Sequence, residues 1–451
     1  MAEGKGWEAS GRHVPFPPKI LESPMMQQAP ISFTRRAALL GAVTLPFAAL
    51  AAPAFAQAAG GAAQAEWPQR YETAGRIALQ RATTPILSPA TVAATEQAIA
   101  NYQSIVSRGG FAQVPGGDLR LGAHSKGVQA LRQRLIQSGD LDQVAGGGAS
   151  FDSFVEAAVQ RFQTRHGISA SGAVDEATLG ALNVSAEARL QQLQTNIVRL
   201  RAFSGDLGAR FVTVNIPAAE VETVEGGVVA THHEAGVGKI DRQSPIMQTK
   251  ALEINFNPFW TVPPSLIKKD LIPKMQADPN YLADEKIRVF DKGGKEVSPS
   301  SINWNSNDAV NYRYRQDTGA DLNSLGSVRI NINNPYGVYM HDTPSKGVFG
   351  DDFRFVSSGC VRVQDVRDYV AWLLKDTPGW SRTQIDQVID SGARQDVRLA
   401  QPVNVYWVYV TAWATPDGLV QFRPDVYKRD GAGPGPMASA APAAPLALPQ
   451  E

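Results

Sequence analysis

The hydrophobic pattern of the chain changes near residue 210, and this change restricts the folds that the chain can adopt. Before this point, apolar residues recur three and four positions apart, as they do on one face of a helix. After it come short runs rich in β-branched and aromatic residues, among them "RFVTVNIP", "TKALEINFN", "SVRINI" and "PVNVYWVYVTAWAT". The sequence therefore predicts an α+β protein whose helical parts precede a β-rich domain.

Residues 57–118 are predicted to form a helical scaffold region. Its first helical stretch covers 66–82, and its second begins at Ser88–Pro89 and stops at Gly109–Gly110. A further helix, "EARLQQLQTNIVRLRAF", lies within residues 184–209 and is expected to link the helical part to the β-rich domain.

Residues 119–183 contain a second helical unit. A first helix carries Val128, Leu131 and Leu135 on one face, and a second carries Phe154, Val155, Ala158, Val159 and Phe162. The segment "SGAVDEATLGALN" predicts a turn and a third short helix. These apolar faces are enough for a small three-helix domain. His166 has no second histidine nearby, which favours a residue at the helix end over a metal ligand.

The β-rich part contains two predicted helical segments. "PFWTVPPSLIKKDLIPKMQADPNYLADEKI" predicts a helical insertion that Pro263 and Pro264 open, and "QDVRDYVAWLLKD" predicts a helix with one apolar face. Gly337 to Met340 is predicted to be a strand that presents His341 at its end.

The first 56 residues have the features of an export signal. Arg35–Arg36 precede a weakly apolar run that closes on the small-residue pattern Ala54–Phe55–Ala56. The paired arginines resemble a twin-arginine signal, which predicts export to the periplasm with cleavage before Gln57. A membrane anchor is the alternative, and Met25–Met26 is an alternative start. At the other end, residues 431–451 are rich in Pro, Ala and Gly and are predicted to be disordered.

The charge balance argues against two classes of protein. The first 56 residues contain five of the 43 Lys and Arg residues and three of the 43 Asp and Glu residues, so 38 basic and 40 acidic residues remain. A nearly neutral chain argues against a nucleic-acid binder and against a polybasic membrane-surface protein. No segment after residue 57 is long and apolar enough to span a bilayer. Neither a metal-binding motif nor a phosphate-binding glycine loop is present, so no cofactor is predicted.

Cys360 is the only cysteine in the chain, in the stretch "FRFVSSGCVRV". A lone cysteine can be a small buried hydrophobe, an intermolecular disulfide partner or a nucleophile. A free thiol is a liability in an oxidising compartment, so the export signal favours the nucleophile.

A cysteine nucleophile needs a base, because only the thiolate attacks a carbonyl efficiently. Of the six histidines, His341 follows a predicted strand and precedes a turn-rich segment that can return the chain to Cys360. Gly359 allows unusual backbone angles, so that neighbouring N–H groups can face an oxyanion. Ser357 and Ser358 are candidates to support this loop by hydrogen bonds, or are turn serines.

These blocks resemble a known family. "INFNPFWTVPPSLI", "YRYRQDTG", "SLGSVRINI", "YGVYMHDTP" and "FRFVSSGCVRV" are similar, in this order, to the L,D-transpeptidases with a YkuD-type catalytic domain, over residues 210–430. The resemblance is to the large periplasmic branch, and it implies a capping insertion at about 263–312. "VEAAVQRFQTRHGISASGAVDEATLGALN" resembles the peptidoglycan-binding helical repeat of cell-wall enzymes. Many members have histidine where this chain has Ser358, so a role of that histidine does not carry over.

The resemblance implies a mechanism and a substrate. Cys360 would attack the carbonyl of meso-diaminopimelate in a donor tetrapeptide stem of peptidoglycan, releasing D-alanine, and an acceptor diaminopimelate amine would resolve the thioester. His341 would move the protons, with its other nitrogen on a backbone carbonyl after Asp342 or Thr343. The N–H groups of Gly359 and Cys360 would form the oxyanion hole.

Three further residues are expected to line the pocket and meet the carboxylates of the stem: Tyr339, Arg354 and Arg362. Other cell-wall synthesis proteins are expected as additional partners.

Other reactions and one other class of protein stay open at this point. Water as acceptor would give an L,D-carboxypeptidase or an amidase, and an envelope protein as acceptor would give an anchoring enzyme. A protein with a retired site would be a non-catalytic peptidoglycan-binding scaffold, but the presence of both Cys360 and His341 argues against it.

Overall fold

The computed structural model of the protein describes residues 83–317, 319, 321–432 and 438–439. The predicted export signal (1–56) and the first predicted helical stretch (66–82) lie outside these residues. Within the described part of the chain, no helix has both the length and the apolar character that a membrane span requires.

Seven helices of seven residues or more occur in the described residues: α1 Pro89–Ser107, α2 Lys126–Gln137, α3 Ser153–Arg165, α4 Glu176–Leu182, α5 Ala186–Phe203, α6 Val366–Leu374 and α7 Arg382–Ser391. The first five each begin after a side chain that accepts a backbone N–H of the first turn, from Ser88, Ser125, Asp152, Asp175 and Ser185 in turn. Such caps satisfy N–H groups that have no partner within the helix. The predicted helix start at Ser88–Pro89, the three helices of residues 119–183 and the linking helix are confirmed.

The strands, in chain order, are β1 Arg210–Asn215, β2 Glu220–Glu225, β3 Val228–Gly238, β4 Met247–Phe256, β5 Trp260–Thr261, β6 Ile287–Phe290, β7 Glu296–Val297, β8 Arg313–Gln316, β9 Val328–Ile332, β10 Met340–His341, β11 Phe355–Ser357, β12 Val361–Val363, β13 Gln395–Val408, β14 Ala412–Ala414, β15 Val420–Phe422 and β16 Ala438–Ser439. Short 3₁₀ turns lie at Gln143–Ala145, Ile216–Ala218, Pro299–Ser301, Asn307–Asn311, Lys346–Gly350 and Asp430–Ala432. The α+β class predicted from the sequence is confirmed.

The main sheet closes on itself. Its strands follow the order β11-β3-β12-β10-β9-β4-β13-β1-β2, and β2 also pairs with β3. Closure gives a barrel whose interior is filled by one large apolar cluster that includes Val214, Phe256, Ile330 and Trp407. Helices α6 and α7 pack on the same cluster through residues such as Tyr369 and Ile385. Barrel closure leaves few strand edges open to pairing with other chains.

Two stretches differ from the prediction, one expected to be a single strand and one expected to be disordered. The run at 402–415 forms β13 and then β14, which pairs with β15 in a separate two-stranded sheet. The Asn215 side-chain oxygen accepts the Val410 N–H (3.1 Å), and the Asn215 side-chain amide donates to the Val410 carbonyl (3.0 Å). These two bonds end the pairing of β13 with β1 at this point. Where the sequence predicts a disordered tail, the backbone of Ala438–Ser439 pairs in parallel with Met247–Gln248.

The helical module of residues 119–183 has its own core, formed by apolar residues of α2, α3 and α4. Its closing loop is organised by the buried side chain of Gln163. The amide of Gln163 donates to the Ala173 carbonyl (2.8 Å) and to Thr178 Oγ1 (3.0 Å), and its oxygen accepts the Gly172 N–H at 2.9 Å. A small apolar core tolerates the buried Gln163 amide because both its nitrogen and its oxygen are hydrogen-bonded.

The module also packs firmly against the β14–β15 hairpin of the β-rich domain. His166 lies buried at the end of α3, as the helix-end prediction expected, and its ring stacks on Phe162 and on Phe422 of β15. Arg165 donates to the Val420 carbonyl, and Arg423 donates to the Arg165 carbonyl, each at 3.1 Å. The two units are therefore joined by buried contacts as well as by the linking helix.

The insertion between β4 and β9 forms a small unit with a separate apolar core that includes Ile267, Met275 and Tyr314. Its helices span Pro264–Leu266, Ile272–Ala277 and Tyr281–Asp284, with a π-helical turn at Ile267–Leu271. The sequence predicted this helical content. The antiparallel sheet in the order β5-β8-β6-β7, which the structure adds, was not predicted.

The first prediction concerns the contact between the module and the barrel. Gly167 has φ +67°, and a Cβ atom there would lie 2.9 Å from Cδ and Nε of Arg423. Gly167→Ala should therefore lower the Tm of the full chain, since the left-handed backbone costs an alanine about 1 kcal/mol before Arg423 moves. Differential scanning calorimetry measures the effect.

The matched control for this prediction is Gly180→Ala. Gly180 lies within α4 with no atom near the added methyl group, so alanine should leave the Tm unchanged or raise it. Equal Tm values for wild type and Gly167→Ala would show that this contact does not hold the module.

Candidate active site

Three neighbouring strands of the barrel bring one row of side chains together. His341 on β10 lies opposite Arg329 on β9 and beside Arg362 on β12. Residues that are directly paired across a sheet point to the same face. The alternate residues, such as Met340 and Ile330, are fully buried in the barrel core. The outer face therefore carries two arginines with a histidine between them.

Cys360 lies directly before β12 and on the same face as this row. The Val361 N–H donates to the Tyr339 carbonyl at 3.1 Å, and Val361 pairs with Met340, so Cys360 is level with Tyr339. Cys360 lies two positions before Arg362, and Tyr339 lies two positions before His341. Side chains two residues apart in an extended chain point to the same face, so Cys360 and Tyr339 share the face of His341 and Arg362. Cys360 is half-buried, and His341 is only 5% exposed.

The loop at the thiol is held by hydrogen bonds from Ser357. Ser357 Oγ donates to the Cys360 carbonyl (2.6 Å) and accepts the Gly359 N–H (3.1 Å). Between them Gly359 takes φ +112°, an angle that strains any residue with a Cβ atom. The neighbouring turn adds support, because Ser244 Oγ donates to the Gly359 carbonyl at 2.9 Å.

These bonds bear on the predicted oxyanion hole. Because the Gly359 N–H already donates to Ser357, it is not free to meet an oxyanion in this conformation. The Cys360 N–H, the other predicted donor of the oxyanion hole, has no acceptor among the described residues. The loop therefore offers one N–H at the candidate nucleophile, and the hydrogen bonds of Ser357 fix the direction of that N–H.

Ser358 is exposed and connects the loop to the insertion. Arg242 donates from Nη1 to Ser358 Oγ at 3.1 Å, and the same guanidinium forms a two-bond ion pair with Asp270 at 2.6 and 2.8 Å. Asp270 belongs to the π-helical turn of the insertion. The pKa of Asp270 is held below its usual value, chiefly by the hydrogen bonds from Arg242.

The position of the His341 ring fixes its tautomer. Nδ1 faces the Asp342 backbone carbonyl within hydrogen-bonding distance. A carbonyl oxygen can only accept, so Nδ1 carries the hydrogen, and Nε2 has the lone pair in the neutral ring. The strand before His341 is shorter than predicted, since β10 begins at Met340. Asn334 ends the preceding turn by binding both the N–H (3.2 Å) and the carbonyl (2.7 Å) of Val338.

Both candidate catalytic groups are neutral at rest. Burial, and after it the charge of Arg362, lower the pKa of His341 to about 3. Burial raises the pKa of the Cys360 thiol to about 11, although hydrogen bonding from Tyr339 and the charges of Arg329 and Arg362 act in the opposite direction. The resting site is therefore a thiol beside a neutral imidazole, and a preformed thiolate–imidazolium pair is disfavoured.

Tyr339 lies at the centre of these contacts. Its ring meets the His341 ring edge-on at 5.6 Å, and the Arg329 guanidinium lies 4.5 Å from its centroid. Burial raises the pKa of Tyr339; the neighbouring Cys360 raises it further, and Trp260 at the start of the insertion acts in the opposite direction. Tyr339 therefore touches both the thiol and the insertion.

The two arginines proposed from the sequence have different surroundings. Arg354 pairs with Glu234 at 2.6 Å and donates to the carbonyls of Asp351 and Ala218, both at 2.9 Å. Because these contacts occupy its Nη groups, Arg354 braces β11 against the barrel, and its predicted place in the pocket is not supported. Arg362 has a buried Nε without an acceptor in the described residues, and it acts electrostatically on Cys360 and His341.

Sequence reasoning did not find Arg329 or Arg242. The alternation in "SVRINI" could have indicated that Arg329 faces away from the core, but only the strand order brings it beside His341. In the described residues, no group of three or more His, Cys, Asp or Glu side chains is arranged to hold a metal ion.

Family models match two segments of the chain. Residues 209–385 match the L,D-transpeptidase catalytic domain of the YkuD family, and residues 124–182 match the "Putative peptidoglycan binding domain". Cys360, His341, Arg329 and Arg362 all lie within the first segment.

Individual proteins are similar to parts of the chain. A Haemophilus influenzae protein named "Putative L,D-transpeptidase" is 35% identical over 241 residues, which are 53% of this chain and 48% of that protein. The chain thus spans about half the length of this curated relative. Two solved L,D-transpeptidase structures are also similar to parts of the chain. The one from Mycobacterium smegmatis has 15% identity, covers 44% of this chain and 58% of its own, and gives a TM-score of 0.23. The one from Stackebrandtia nassauensis has 13% identity, covers 66% of this chain and 96% of its own, and gives a TM-score of 0.24.

The neutral pair predicts how the thiol reacts with iodoacetamide. With a pKa of about 11, only about one thiol in ten thousand is ionised at pH 7. The alkylation rate of Cys360 in the folded full chain should therefore rise about tenfold per pH unit between pH 6 and pH 9. Peptide mass spectrometry of timed samples measures it.

His341→Ala is the matched control for this experiment. A preformed ion pair would instead give an alkylation rate that does not change between pH 5 and pH 8. His341→Ala would then abolish this fast alkylation. Alkylation that occurs only after denaturation would show that Cys360 is a core residue.

Proposed function

The chain carries an L,D-transpeptidase catalytic domain and a peptidoglycan-binding domain, and on this premise we propose that it cross-links peptidoglycan through a Cys360 thioester. The observation that carries the proposal is that the chain's sole cysteine lies on the same face of the barrel as a buried, neutral His341. The proposed bond joins two meso-diaminopimelate residues, and the donor is a tetrapeptide stem that loses its terminal D-alanine.

The first half-reaction forms the thioester. Cys360 Sγ attacks the carbonyl carbon of diaminopimelate, and its proton passes to His341 Nε2. The C–N bond to D-alanine then breaks, and His341 gives the proton to the leaving amine. Because the thiol and the imidazole are both neutral at rest, proton transfer accompanies the attack. The Cys360 N–H is placed to donate to the oxyanion.

The second half-reaction consumes the thioester. The side-chain amine of an acceptor diaminopimelate attacks the thioester carbon and gives a proton to His341 Nε2. The C–S bond breaks, and the same proton returns to Sγ. The hydrogen bond from Nδ1 to the Asp342 carbonyl supports this cycle, because it keeps the hydrogen on Nδ1 and leaves the lone pair of Nε2 to exchange protons.

The remaining parts of the chain have proposed roles around this site. Residues 119–183 would bind the wall, the regions 57–118 and 184–209 would hold them against the catalytic domain at 210–430, and the insertion at about 263–312 would cover the cleft. Residues 1–56 would direct export to the periplasm by the twin-arginine route. The buried contacts of Arg165 and Arg423 support a fixed orientation of the module.

The central test compares wild type with Cys360→Ala on peptidoglycan rich in tetrapeptide stems. Wild type should release D-alanine and produce dimers joined between two diaminopimelates, which digestion and mass spectrometry of the muropeptides would identify. Cys360→Ala should produce neither, because no thioester can form. It should sediment with the sacculi as well as wild type, because the module is unchanged.

Other products would select the rival functions. Tripeptides without dimers would indicate a carboxypeptidase, and protein attached to the wall would indicate an anchoring enzyme. Wall binding by wild type without any new product would indicate a scaffold.

A carbapenem provides a second prediction that needs no wall material. Its strained β-lactam carbonyl is an acyl donor for Cys360, and the ring C–N bond breaks as the thioester forms. Intact mass spectrometry should show one added carbapenem on wild type. Cys360→Ala should stay unmodified, and Ser358→Ala should still react. An unmodified wild type would count heavily against the thioester mechanism.

A further inference from the structure

Arg329 and Arg362 form an unusual pair because neither has an acid. Each has a buried Nε without an acceptor in the described residues, and neither forms an ion pair with a described Asp or Glu. Other arginines near the barrel end are paired, Arg354 with Glu234 and Arg242 with Asp270. The Nε atoms of Arg242 and Arg354 also lack an acceptor, so what distinguishes Arg329 and Arg362 is that neither has an acidic partner. Two guanidinium groups at one site without an acid are able to receive an anionic group of a substrate.

The positions of the two guanidinium groups are constrained by their neighbours. Arg329 stacks on Tyr339, with its Cζ atom 4.5 Å from the ring centroid. The stem of Arg362 lies over Gly236, where an added Cβ atom would be 3.3 Å from Cβ and Cδ of the arginine. A larger residue at 236 would displace the Arg362 stem. Both contacts hold the side chains while leaving their N–H groups free.

The strand register places these groups on either side of His341. Neighbouring strands are about 4.8 Å apart, so two arginines that flank a histidine can reach a group bound to its ring. A nitrogen that exchanges protons with Nε2 must lie within hydrogen-bonding distance of it. A substituent on the carbon that is bonded to this nitrogen therefore comes within reach of both guanidinium groups.

We propose that Arg329 and Arg362 form a clamp for the carboxylate on the carbon next to the scissile nitrogen. This inference rests on the proposed function, in which the leaving amine belongs to a terminal D-alanine. Its α-carbon carries both the nitrogen and a free carboxylate. The acceptor amine of diaminopimelate also sits on a carbon with a carboxylate, so one clamp serves both half-reactions. The site thereby selects a donor whose chain ends one residue after the bond that breaks.

The clamp acts on position and selectivity more than on proton transfer. The two positive charges favour the thiolate and disfavour the imidazolium, so a bound carboxylate that neutralises them has opposing effects on the two groups. These effects largely cancel for transfer of a proton from Cys360 to His341. Two charge-assisted contacts to a carboxylate, in contrast, orient the leaving group directly.

The first experiment uses two small alkylating probes on the full chain and does not depend on transpeptidation. Iodoacetate carries a carboxylate, and iodoacetamide is its neutral analogue. The ratio of their rates at Cys360, divided by the same ratio for 2-mercaptoethanol, should exceed one in wild type. Arg329→Gln and Arg362→Gln should each lower it about tenfold, as expected for the loss of about 1.4 kcal/mol. Arg329→Lys should retain part of the preference.

The control variant is Arg398→Gln, because Arg398 is on the same barrel with a side chain that is 90% exposed. It should leave the ratio unchanged. A normalised ratio that is the same in wild type, Arg329→Gln and Arg362→Gln would overturn the clamp.

The second experiment uses a tetrapeptide donor with a free C-terminus and the same peptide with a C-terminal amide. Wild type should favour the free acid in kcat/KM, mainly through KM, and both glutamine variants should lose the discrimination. Equal use of the two donors by wild type would contradict the clamp and leave the transpeptidase proposal intact. If neither donor is consumed, the proposed function fails, and the alkylation ratio still decides whether the carboxylate site exists.

Discussion

The parallel pairing of β10 with β12 is the constraint on which the candidate site depends. It makes Met340 and Val361 neighbours and thereby sets His341 beside Arg362 and Cys360 level with Tyr339. A shift of one residue in this register would turn the polar side chains into the barrel core. The register is well fixed, because Met340, Val361 and Val363 are completely buried and would lose this burial. The core of the barrel thus determines the geometry of a site on its outer face.

A second layer of contacts fixes the loop that the strands alone do not hold. The turn after β3 binds the cysteine loop at two points, through Lys239 N–H to the Ser357 carbonyl and through Ser244 to the Gly359 carbonyl, both at 2.9 Å. Tyr427, near the end of the described chain, accepts the Ser244 N–H and donates to the Gly238 carbonyl. Segments far apart in sequence therefore converge on four residues, which fits a loop that must hold one backbone N–H in a fixed direction.

The sequence predicted those features that depend on neighbouring residues alone. Capping residues located the helix starts, and the apolar faces of the module were found from their spacing. The turn-rich segment between His341 and Cys360 predicted that the chain brings them together, and the strand register places them on one face of the barrel. Arg329 could not be found, because its place beside His341 depends on strand order. Sequence alone does not distinguish Arg354 from Arg362, because the ion pair of Arg354 with Glu234 depends on the tertiary structure. The sheet of the insertion was missed because its strands have two to four residues.

The neutral state of the candidate pair also reconciles a free thiol with an oxidising compartment, the location proposed for this chain. Oxidation and disulfide exchange both proceed through the thiolate. A site that kept Cys360 ionised would react with oxidants whether or not substrate was present. Burial holds the thiol protonated, and in the proposed mechanism Nε2 of His341 takes the proton only when a carbonyl is bound against Sγ. In this proposal, slow reaction with oxidants and the chemistry of the site have the same cause, which is the burial of the imidazole and the partial burial of the thiol.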